Sequence, residues 1–160
     1  MKDIKKIRVS KEKGSLYIFS KEAQNFIEEK KWCLKVEKGY LGIGIDGILA
    51  VFKFYITPTE KDIDSELWVI VGDIPPAYLV IDRAPDAISA LIVYVEEMRL
   101  WVNASFRGSS VDGLIPVNVV SNQENAEKLK KRLDFIEQKI IPIYSKDNIS
   151  TVDHGEENRP

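Results

Sequence analysis

Three aspartates stand where a folded chain could bring carboxylates together. Asp73 follows one predicted strand, Asp82 follows the next, and Asp112 lies in a later loop. Carboxylates that converge can bind a divalent cation or share a proton. Aspartate is also preferred at turns and helix starts for backbone reasons, and this structural role is the favoured interpretation. A carboxylate- or metal-dependent hydrolase is therefore an alternative that requires the three side chains to share one pocket.

Other residues that commonly catalyse are scarce. The chain has one histidine, His154, in a predicted tail, and one cysteine, Cys33, between apolar neighbours. These cannot supply the roughly three or four nitrogen and sulfur ligands that zinc takes, and a Ser–His or Cys–His pair would need the tail to fold back. Cys33 is interpreted as a buried small hydrophobic residue. We therefore predict no metal and no cofactor, and the chain is more typical of a non-enzymatic protein than of an enzyme.

Three glycines have the spacing of a dinucleotide-binding fingerprint. Gly42, Gly44 and Gly47 match G-x-G-x-x-G, a pattern in which a helix must follow the last glycine. Ile48 to Ile56 is instead rich in β-branched and aromatic residues and predicts a strand. The pair Asp46-Gly47 favours a two-residue hairpin turn. The glycines therefore indicate a hairpin rather than a cofactor site.

That turn also predicts the register of the hairpin, because side chains alternate between the two faces of a strand. The expected pairs are Ile45 with Ile48, Ile43 with Ala50, Leu41 with Phe52, Gly44 with Leu49 and Gly42 with Val51. Gly42 and Gly44 would then share one face, which would be bare enough to admit a closely packed side chain or backbone.

Hydrophobic periodicity predicts the other elements. The uninterrupted apolar run Leu67 to Val71 indicates a central strand that is covered on both faces. The predicted elements are a strand at Leu16 to Phe19, a short helix from Ser20 to about Lys31, several β segments from Trp32 to Ile81, a helix from Pro85 to about Ser105, and a helix capped by Ser121 with Glu124 and ended by Pro142. This order predicts an α+β fold with an antiparallel sheet of about four to six strands, one short N-terminal helix and two long C-terminal amphipathic helices.

Composition and charge limit the class of protein. Of the 160 residues, 44% are hydrophobic and 30% charged, which is typical of a globular protein. No apolar run approaches the roughly 20 residues of a membrane-spanning helix, and the N-terminus lacks the features of a secretory signal. We therefore expect a cytoplasmic protein without a membrane partner. Its net charge is −2, and basic residues are not interleaved with aromatic ones, so no nucleic-acid partner is predicted.

The distribution of charge and apolar residues divides the chain into three regions. Residues 1–14 hold six Lys and Arg against two acidic residues and are interpreted as a basic, solvated arm. Residues 15–143 are predicted to form a single α+β domain. Residues 144–160 have few large apolar residues and are predicted to form a flexible tail.

One segment carries a resemblance. The run WVIVGDIPPAYLVID from Trp68 to Asp82, followed by a predicted helix and then by DGLIPVN from Asp112 to Asn118, resembles an uncharacterised family of small bacterial proteins of unknown function. The resemblance covers Leu67 to Ile141. It implies a bacterial, intracellular origin and no particular activity.

The leading functional hypothesis is a non-enzymatic protein-binding module, such as an immunity protein or an inhibitor whose partner is a toxin. Loops on a rigid scaffold commonly carry recognition, and aromatic side chains commonly anchor interfaces. We therefore expect binding residues around Gly72 to Pro76 and Arg107 to Gly113, with Asp73, Tyr78 and Asp112 as the candidates.

A further alternative is a homo-oligomeric accessory protein that binds itself. In this hypothesis Tyr94 and Trp101, on the helix that starts near Pro85, belong to a self-complementary interface.

Overall fold

The computed structural model describes residues 1–9 and 14–146, so His154 and most of the predicted tail lie outside the described residues. The predicted α+β class is confirmed, because a five-stranded antiparallel sheet is combined with helices. In chain order the elements are β1 (Lys2–Asp3), α1 (Ile4–Val9), α2 (Ser15–Glu28), β2 (Cys33–Ile45), β3 (Leu49–Pro58), β4 (Glu66–Gly72), β5 (Ala77–Val80), a 3-10 turn (Ile81–Arg83), α3 (Ala87–Arg107) and α4 (Gln123–Phe135), which continues through a π turn (Ile136–Ile140).

The described chain divides into two compact units. The first consists of Met1–Tyr94 with Ile115–Val119, and it holds the whole sheet. The second consists of Val95–Leu114 with the described residues from Val120 onwards. A single domain over residues 15–143 stays a prediction. No helix in the described ranges is both long enough and apolar enough to cross a bilayer.

The N-terminal residues differ from the predicted solvated arm. Residues 2–3 form β1, in which Lys2 pairs with Leu41 of β2, and residues 4–9 form α1. Ile4 and Ile7 are buried against the sheet. These two isoleucines are three residues apart and so share one face of a helix, which is how a lysine-rich segment still buries an apolar side.

Helix α2 begins earlier than the sequence predicted. The prediction of a strand at Leu16 to Phe19 is wrong, because the helix starts at Ser15. Phe19, Ala23 and Ile27 are all buried at spacings of four, so the helical period continues back through the segment. Ser20, at which the sequence predicts the helix to begin, lies inside the helix and does not cap it. Its buried hydroxyl donates to the carbonyl oxygen of Tyr17 over 2.7 Å, inside the helix.

The β2–β3 hairpin forms, but its turn is not the predicted one. The N–H of Ile48 donates to the carbonyl of Ile45 over 3.0 Å, and Gly47 alone of the two central residues has a positive φ, at 75°. This matches a type II turn, whose twist does not suit a two-residue hairpin. Ile48 therefore becomes an extra loop residue, and Ile45 pairs with Leu49 instead of Ile48.

A β-bulge then corrects the register further along the hairpin. A shift lies between Leu41 and Ile43, after which Leu41 pairs with Phe52 as predicted. The bulge also separates the two glycines that were expected on one face. A Cβ on Gly42 would lie 2.7 Å from Ala87 Cβ, whereas a Cβ on Gly44 would lie 2.9 Å from Leu16 Cδ2. The close approach was correctly predicted, but it occurs on opposite faces of the sheet.

Strand β4 is covered on both faces, as its apolar sequence predicted. On one face, which we call the α2 face, Leu67 and Val69 join the core formed with α1 and α2. On the other face, Trp68 is 2% exposed and its Nε1 donates to the carbonyl of Ala84 over 2.8 Å. We call this second side the Trp68 face. Because both faces are buried, β4 has no alternation of polar and apolar residues.

Helix α3 begins two residues after Pro85. Asp86 is the capping residue, since its Oδ1 accepts a hydrogen bond from the N–H of Ser89 over 2.8 Å. The apolar residues at helical spacing from Ile88 to Val102 form the largely buried side of this predicted amphipathic helix, and Tyr94 and Trp101 are buried with them at 0% and 1% exposure.

Helix α4 is capped one residue later than predicted. Asn122 accepts from the N–H of Asn125 over 2.8 Å, while the hydroxyl of Ser121 pairs with that of Ser105. Pro142 does not end the helix, because residues 141–146 are also helical. The N–H of Ile141 bonds to the carbonyl of Ile136, and this wider π turn comes directly before the proline, which lacks an N–H of its own.

Candidate functional site

The three predicted binding residues have different surroundings. Asp73 is exposed in the β4–β5 turn, and its N–H donates to the carbonyl of Ile48 over 2.9 Å. Tyr78 is on β5 and is 38% exposed. Asp112 is exposed in the second unit, where its N–H donates to the hydroxyl of Ser110 over 3.1 Å. Of the three, Tyr78 has other aromatic side chains around it.

Tyr78 belongs to an aromatic cluster, a term we use for Phe26, Trp32 and Tyr78. The ring of Tyr78 meets that of Trp32 edge to face, with centroids 5.1 Å apart and an angle of 61° between the planes. Phe26 lies 6.4 Å from Tyr78 by the same measure. Each ring comes from a different segment: the last turns of α2, the loop before β2, and β5. Such offset and edge-to-face pairs stabilise one another beyond simple area burial.

The cluster is held at the surface of the first unit. Phe26 and Trp32 are partly buried against the core of the α2 face, and Tyr78 is the most exposed of the three rings. The Lys30 ammonium lies 4.2 Å from the centroid of Phe26, within cation–π range. The result is an apolar surface, rigid because each ring contacts another, with one positive charge at its margin.

Strand β5 is an edge strand of the sheet, since it pairs with β4 and stands last in the strand order. Hydrogen bonds just outside the first and last pairs of the β3–β4 ladder show which way the backbone groups of β4 point. They run from Asp73 N–H to Ile48 C=O, at 2.9 Å, and from Ile56 N–H to Ser65 C=O, at 2.8 Å. Both end pairs of that ladder are therefore non-hydrogen-bonded pairs.

The same alternation continues into β5. Trp68 and Ile70 direct their backbone groups towards β5, where they pair with Leu79 and Ala77. Tyr78 and Val80 must then direct their N–H and C=O groups away from β4. Val80 is the N-cap of the 3-10 turn Ile81–Arg83, and its carbonyl accepts the first hydrogen bond of that turn. Within residues 1–9 and 14–146, no backbone hydrogen bond joins the other outward groups of β5 to another segment.

The opposite edge of the sheet is protected in a way that β5 is not. Strand β2 extends well beyond its two pairs with β1, and this open part carries the exposed charges of Lys35, Glu37 and Lys38 and two register irregularities. Charges and bulges on an edge hinder the addition of another strand. Strand β5, with the sequence Ala-Tyr-Leu-Val, has no charge and an uninterrupted register with β4.

A second group of aromatic and basic side chains, not identified from the sequence, lies on the Trp68 face. Tyr40 and Tyr55 are edge to face with centroids 5.9 Å apart, and Lys38 lies 4.7 Å from the centroid of Tyr55. Lys53 lies 5.5 Å from Tyr55 and 5.8 Å from Trp68. Lys38 alternates with Tyr40 and Lys53 alternates with Tyr55 in the sequence, so the interpretation that basic residues are not interleaved with aromatic ones is wrong for these two strands. Because lysines already lie over the Tyr55 ring, this group is less suited to stacking bases than separated free rings would be.

The carboxylates do not form a metal site in the described part of the chain. Asp73 follows β4 and Asp82 follows β5, and the two strands are antiparallel, so these residues lie at opposite ends of the β4–β5 hairpin. No group of three or more His, Cys, Asp or Glu side chains among the described residues could hold a metal ion.

Cys33 is confirmed as a buried residue. Its side chain joins the core of the α2 face. Burial, together with the negative charge of Glu28, raises the pKa of the thiol. The reactive thiolate is thereby disfavoured.

The residues expected in a self-complementary interface are in the interior instead. Tyr94 belongs to the first unit, and its hydroxyl donates to the carbonyl of Pro75 over 2.6 Å. Trp101 belongs to the second unit and is 1% exposed. Neither ring is available for a surface contact.

The clearest electrostatic feature of the second unit joins α3 to α4. Arg99 bonds to Asp134 at 3.0 Å and to Glu137 at 2.8 Å, and Lys130 bonds to Asp134 at 2.9 Å. The hydrogen bond from Lys130, reinforced by Arg99, lowers the pKa of Asp134. Burial opposes the charge of Arg99, but its hydrogen bonds to Glu137 and Asp134 outweigh that effect and raise its pKa. Every charge of this group is matched, so the arrangement stabilises structure.

Comparison with known proteins found no match for this chain among protein-family models, curated proteins or solved structures. The resemblance of residues 67–141 to an uncharacterised bacterial family therefore stays a prediction.

Proposed function

We propose that this protein is a non-enzymatic protein-binding module whose interface is centred on the aromatic cluster of Phe26, Trp32 and Tyr78. The observation that carries the proposal is the 38% exposure of Tyr78 in edge-to-face contact with Trp32. Tryptophan and tyrosine are enriched among the few residues that supply most of the binding energy at protein interfaces. Rings already fixed by one another lose little conformational entropy when a partner covers them.

The position of the cluster supports the same function. Its rings stand on α2, β5 and the loop that leads into β2, so the folded sheet holds them in place before any partner arrives. The Lys30 charge at its margin offers an electrostatic contact to an acidic residue of a partner. Asp73 and Asp112 are secondary candidates, outside the aromatic cluster.

An immunity or inhibitor protein is the specific form of this function that we propose to test, with a toxin as its partner. The net charge of −2 suits a partner with a basic surface. The test co-expresses this chain with a toxin encoded by a neighbouring gene and measures cell growth. We expect the wild-type chain to rescue growth and a Tyr78→Ala variant to lose this rescue.

The direct test measures binding to a purified partner. A stoichiometric partner captured by the tagged chain from host cells is identified, produced separately and titrated by calorimetry against wild type, Trp32→Ala and Tyr78→Ala. We expect each change to weaken binding by about 30-fold or more, which corresponds to roughly 2 kcal/mol. Phe135→Ala is the matched control, because Phe135 is a 45% exposed ring in the second unit.

The proposal fails if Tyr78→Ala and Trp32→Ala both bind like wild type. It also fails if the Phe135→Ala control loses binding while they do not, because the interface would then lie on the second unit.

A further inference from the structure

The outer side of β5 presents backbone groups that a partner can use. These groups are the N–H and the C=O of Tyr78 and the N–H of Val80, which point away from β4, as the hydrogen-bond alternation across β3, β4 and β5 requires. The C=O of Val80 is bonded within the 3-10 turn that follows β5. Backbone donors and acceptors in a row are complementary to the backbone of an extended chain. They are not complementary to a helix, whose own backbone groups bond internally.

The aromatic cluster lies beside the same edge. The side chain of Tyr78, which supplies outward backbone groups, is also the exposed ring of the cluster. In an added strand, the residue directly opposite Tyr78 would share its face of the sheet and contact its ring. One strand could therefore satisfy the backbone groups and cover the rings at once.

We propose, on the basis of the proposed function, that the partner binds by adding an extended segment of its own chain to β5. The segment places an apolar or aromatic side chain on the aromatic cluster, opposite Tyr78, and an acidic side chain near Lys30. Backbone hydrogen bonds supply affinity in this mode of recognition, and alternate side chains supply specificity.

The local sequence supports an added strand at this edge and not at the other. Residues Ala77–Val80 have no charge, proline or bulge, whereas the open part of β2 has exposed charges and two irregularities. Natural sheets protect the edges that must stay unpaired. Pro75 and Pro76 on one side and the 3-10 turn Ile81–Arg83 on the other restrict the added segment to a few residues.

Val80 allows a test that removes one outward donor and little else. Its φ of −77° is close to the value of about −65° that proline imposes, so Val80→Pro fits the native backbone. The change removes the outward N–H, keeps an apolar side chain and leaves the bonds between β4 and β5 intact. Val80→Ala is the matched control, because it shortens the side chain but retains the N–H.

The probe is a peptide selected from a displayed library of random extended peptides with wild-type protein as bait. We expect its affinity to fall about tenfold or more for Val80→Pro and to change less than about threefold for Val80→Ala. Equal binding by the two variants, or failure to select any peptide, overturns the inference. Loss of partner binding in Tyr78→Ala with equal binding by both Val80 variants would leave the proposed function standing and reject strand addition alone.

Amide hydrogen exchange provides a second measurement that does not depend on a variant. In the free wild-type protein, the N–H groups of Tyr78 and Val80 should exchange faster than those of Ala77 and Leu79, and the bound peptide should protect both. Unchanged exchange in the complex contradicts strand addition. Protection without peptide, in a protein that sediments as a dimer, would mean that a second copy pairs with β5 and would overturn the assignment to a partner.

Discussion

The hydroxyl of Tyr94 donates a hydrogen bond of 2.6 Å to the carbonyl oxygen of Pro75, which links α3 to the turn that leads into β5. Tyr94 itself is fully buried, so its hydroxyl has no route to bulk water. The bond therefore both satisfies a buried polar group and positions the edge strand that carries Tyr78.

Tyr94→Phe should lower the free energy of unfolding by about 1 kcal/mol, since it removes the donor and leaves the Pro75 carbonyl without it. Chemical denaturation measures the change, with Tyr55→Phe as the control at a half-exposed ring. Equal stability of wild type and Tyr94→Phe would mean that the carbonyl finds another donor.

Tyr94 should also make the protein less stable in alkali. Burial raises the pKa of its hydroxyl far above the ordinary value of 10.0, so the phenol ionises only when the chain unfolds. The stabilisation by the neutral group is complete below about pH 9 and declines as the pH rises through the ordinary pKa of 10.0, because the unfolded state releases a proton that the folded state retains. The stability difference between wild type and Tyr94→Phe should therefore shrink between about pH 9 and 11. A difference that grows over that range would contradict this assignment.

Two glycines should respond differently to alanine. Gly72 has a φ of 137°, and a Cβ there would lie 2.3 Å from the carbonyl oxygen of Ile48, whereas Gly47 has a φ of 75° and nothing within 4 Å. Gly47→Ala should cost about 1 to 2 kcal/mol of unfolding free energy, from backbone strain alone. Gly72→Ala should cost about 3 kcal/mol or more, because a clash with backbone adds to the strain. Thermal unfolding of the two variants side by side checks the order.

The cap of α4 should reside in Asn122. Asn122→Ala is expected to lower the unfolding free energy by about 1 kcal/mol, because the N–H of Asn125 loses its acceptor. Asn122→Ser and Asn122→Asp should retain most of the stability, since both side chains can accept the same bond. If all three variants are equally destabilised, the loss does not arise from capping.

The ion pairs of Asp134 with Lys130 and Arg99 should contribute little to the free energy of unfolding, and only above acidic pH. Its pKa is lowered by Lys130 first and by Arg99, so the stabilisation is present above about pH 4 and disappears as the pH falls through the lowered value. Asp134 is 31% exposed, so Asp134→Asn should cost less than about 1 kcal/mol near neutral pH. Chemical denaturation of wild type and Asp134→Asn at low and high ionic strength, and at pH 7 and pH 3, checks this prediction. The difference in unfolding free energy between the two proteins should decrease when salt is added and when the pH is lowered.

The sequence by itself determined the class of fold and the burial of strand β4 on both faces. Leu67 to Val71 and the stripe from Ile88 to Val102 were identified correctly because the periodicity of burial is a local property that the chain displays in order. The hairpin at Asp46-Gly47 and the burial of Cys33 were likewise read from neighbouring residues.

Only the tertiary structure decided how the hairpin turns and where the helices begin. The type II turn at Gly47 and the bulge after Leu41 compensate for each other, and no local pattern specifies that pair of irregularities. Ser121 and Asn122 are both good caps by residue type, and the pairing of Ser121 with Ser105 leaves the cap to Asn122.

The aromatic cluster depended most on tertiary structure. Tyr78 was a candidate from its position in the sequence, but Phe26 and Trp32 are about 50 residues away along the chain and were not candidates. They meet because α2 crosses a sheet whose fifth strand lies beyond the third and fourth, and such non-local contacts form only when the whole sheet is assembled.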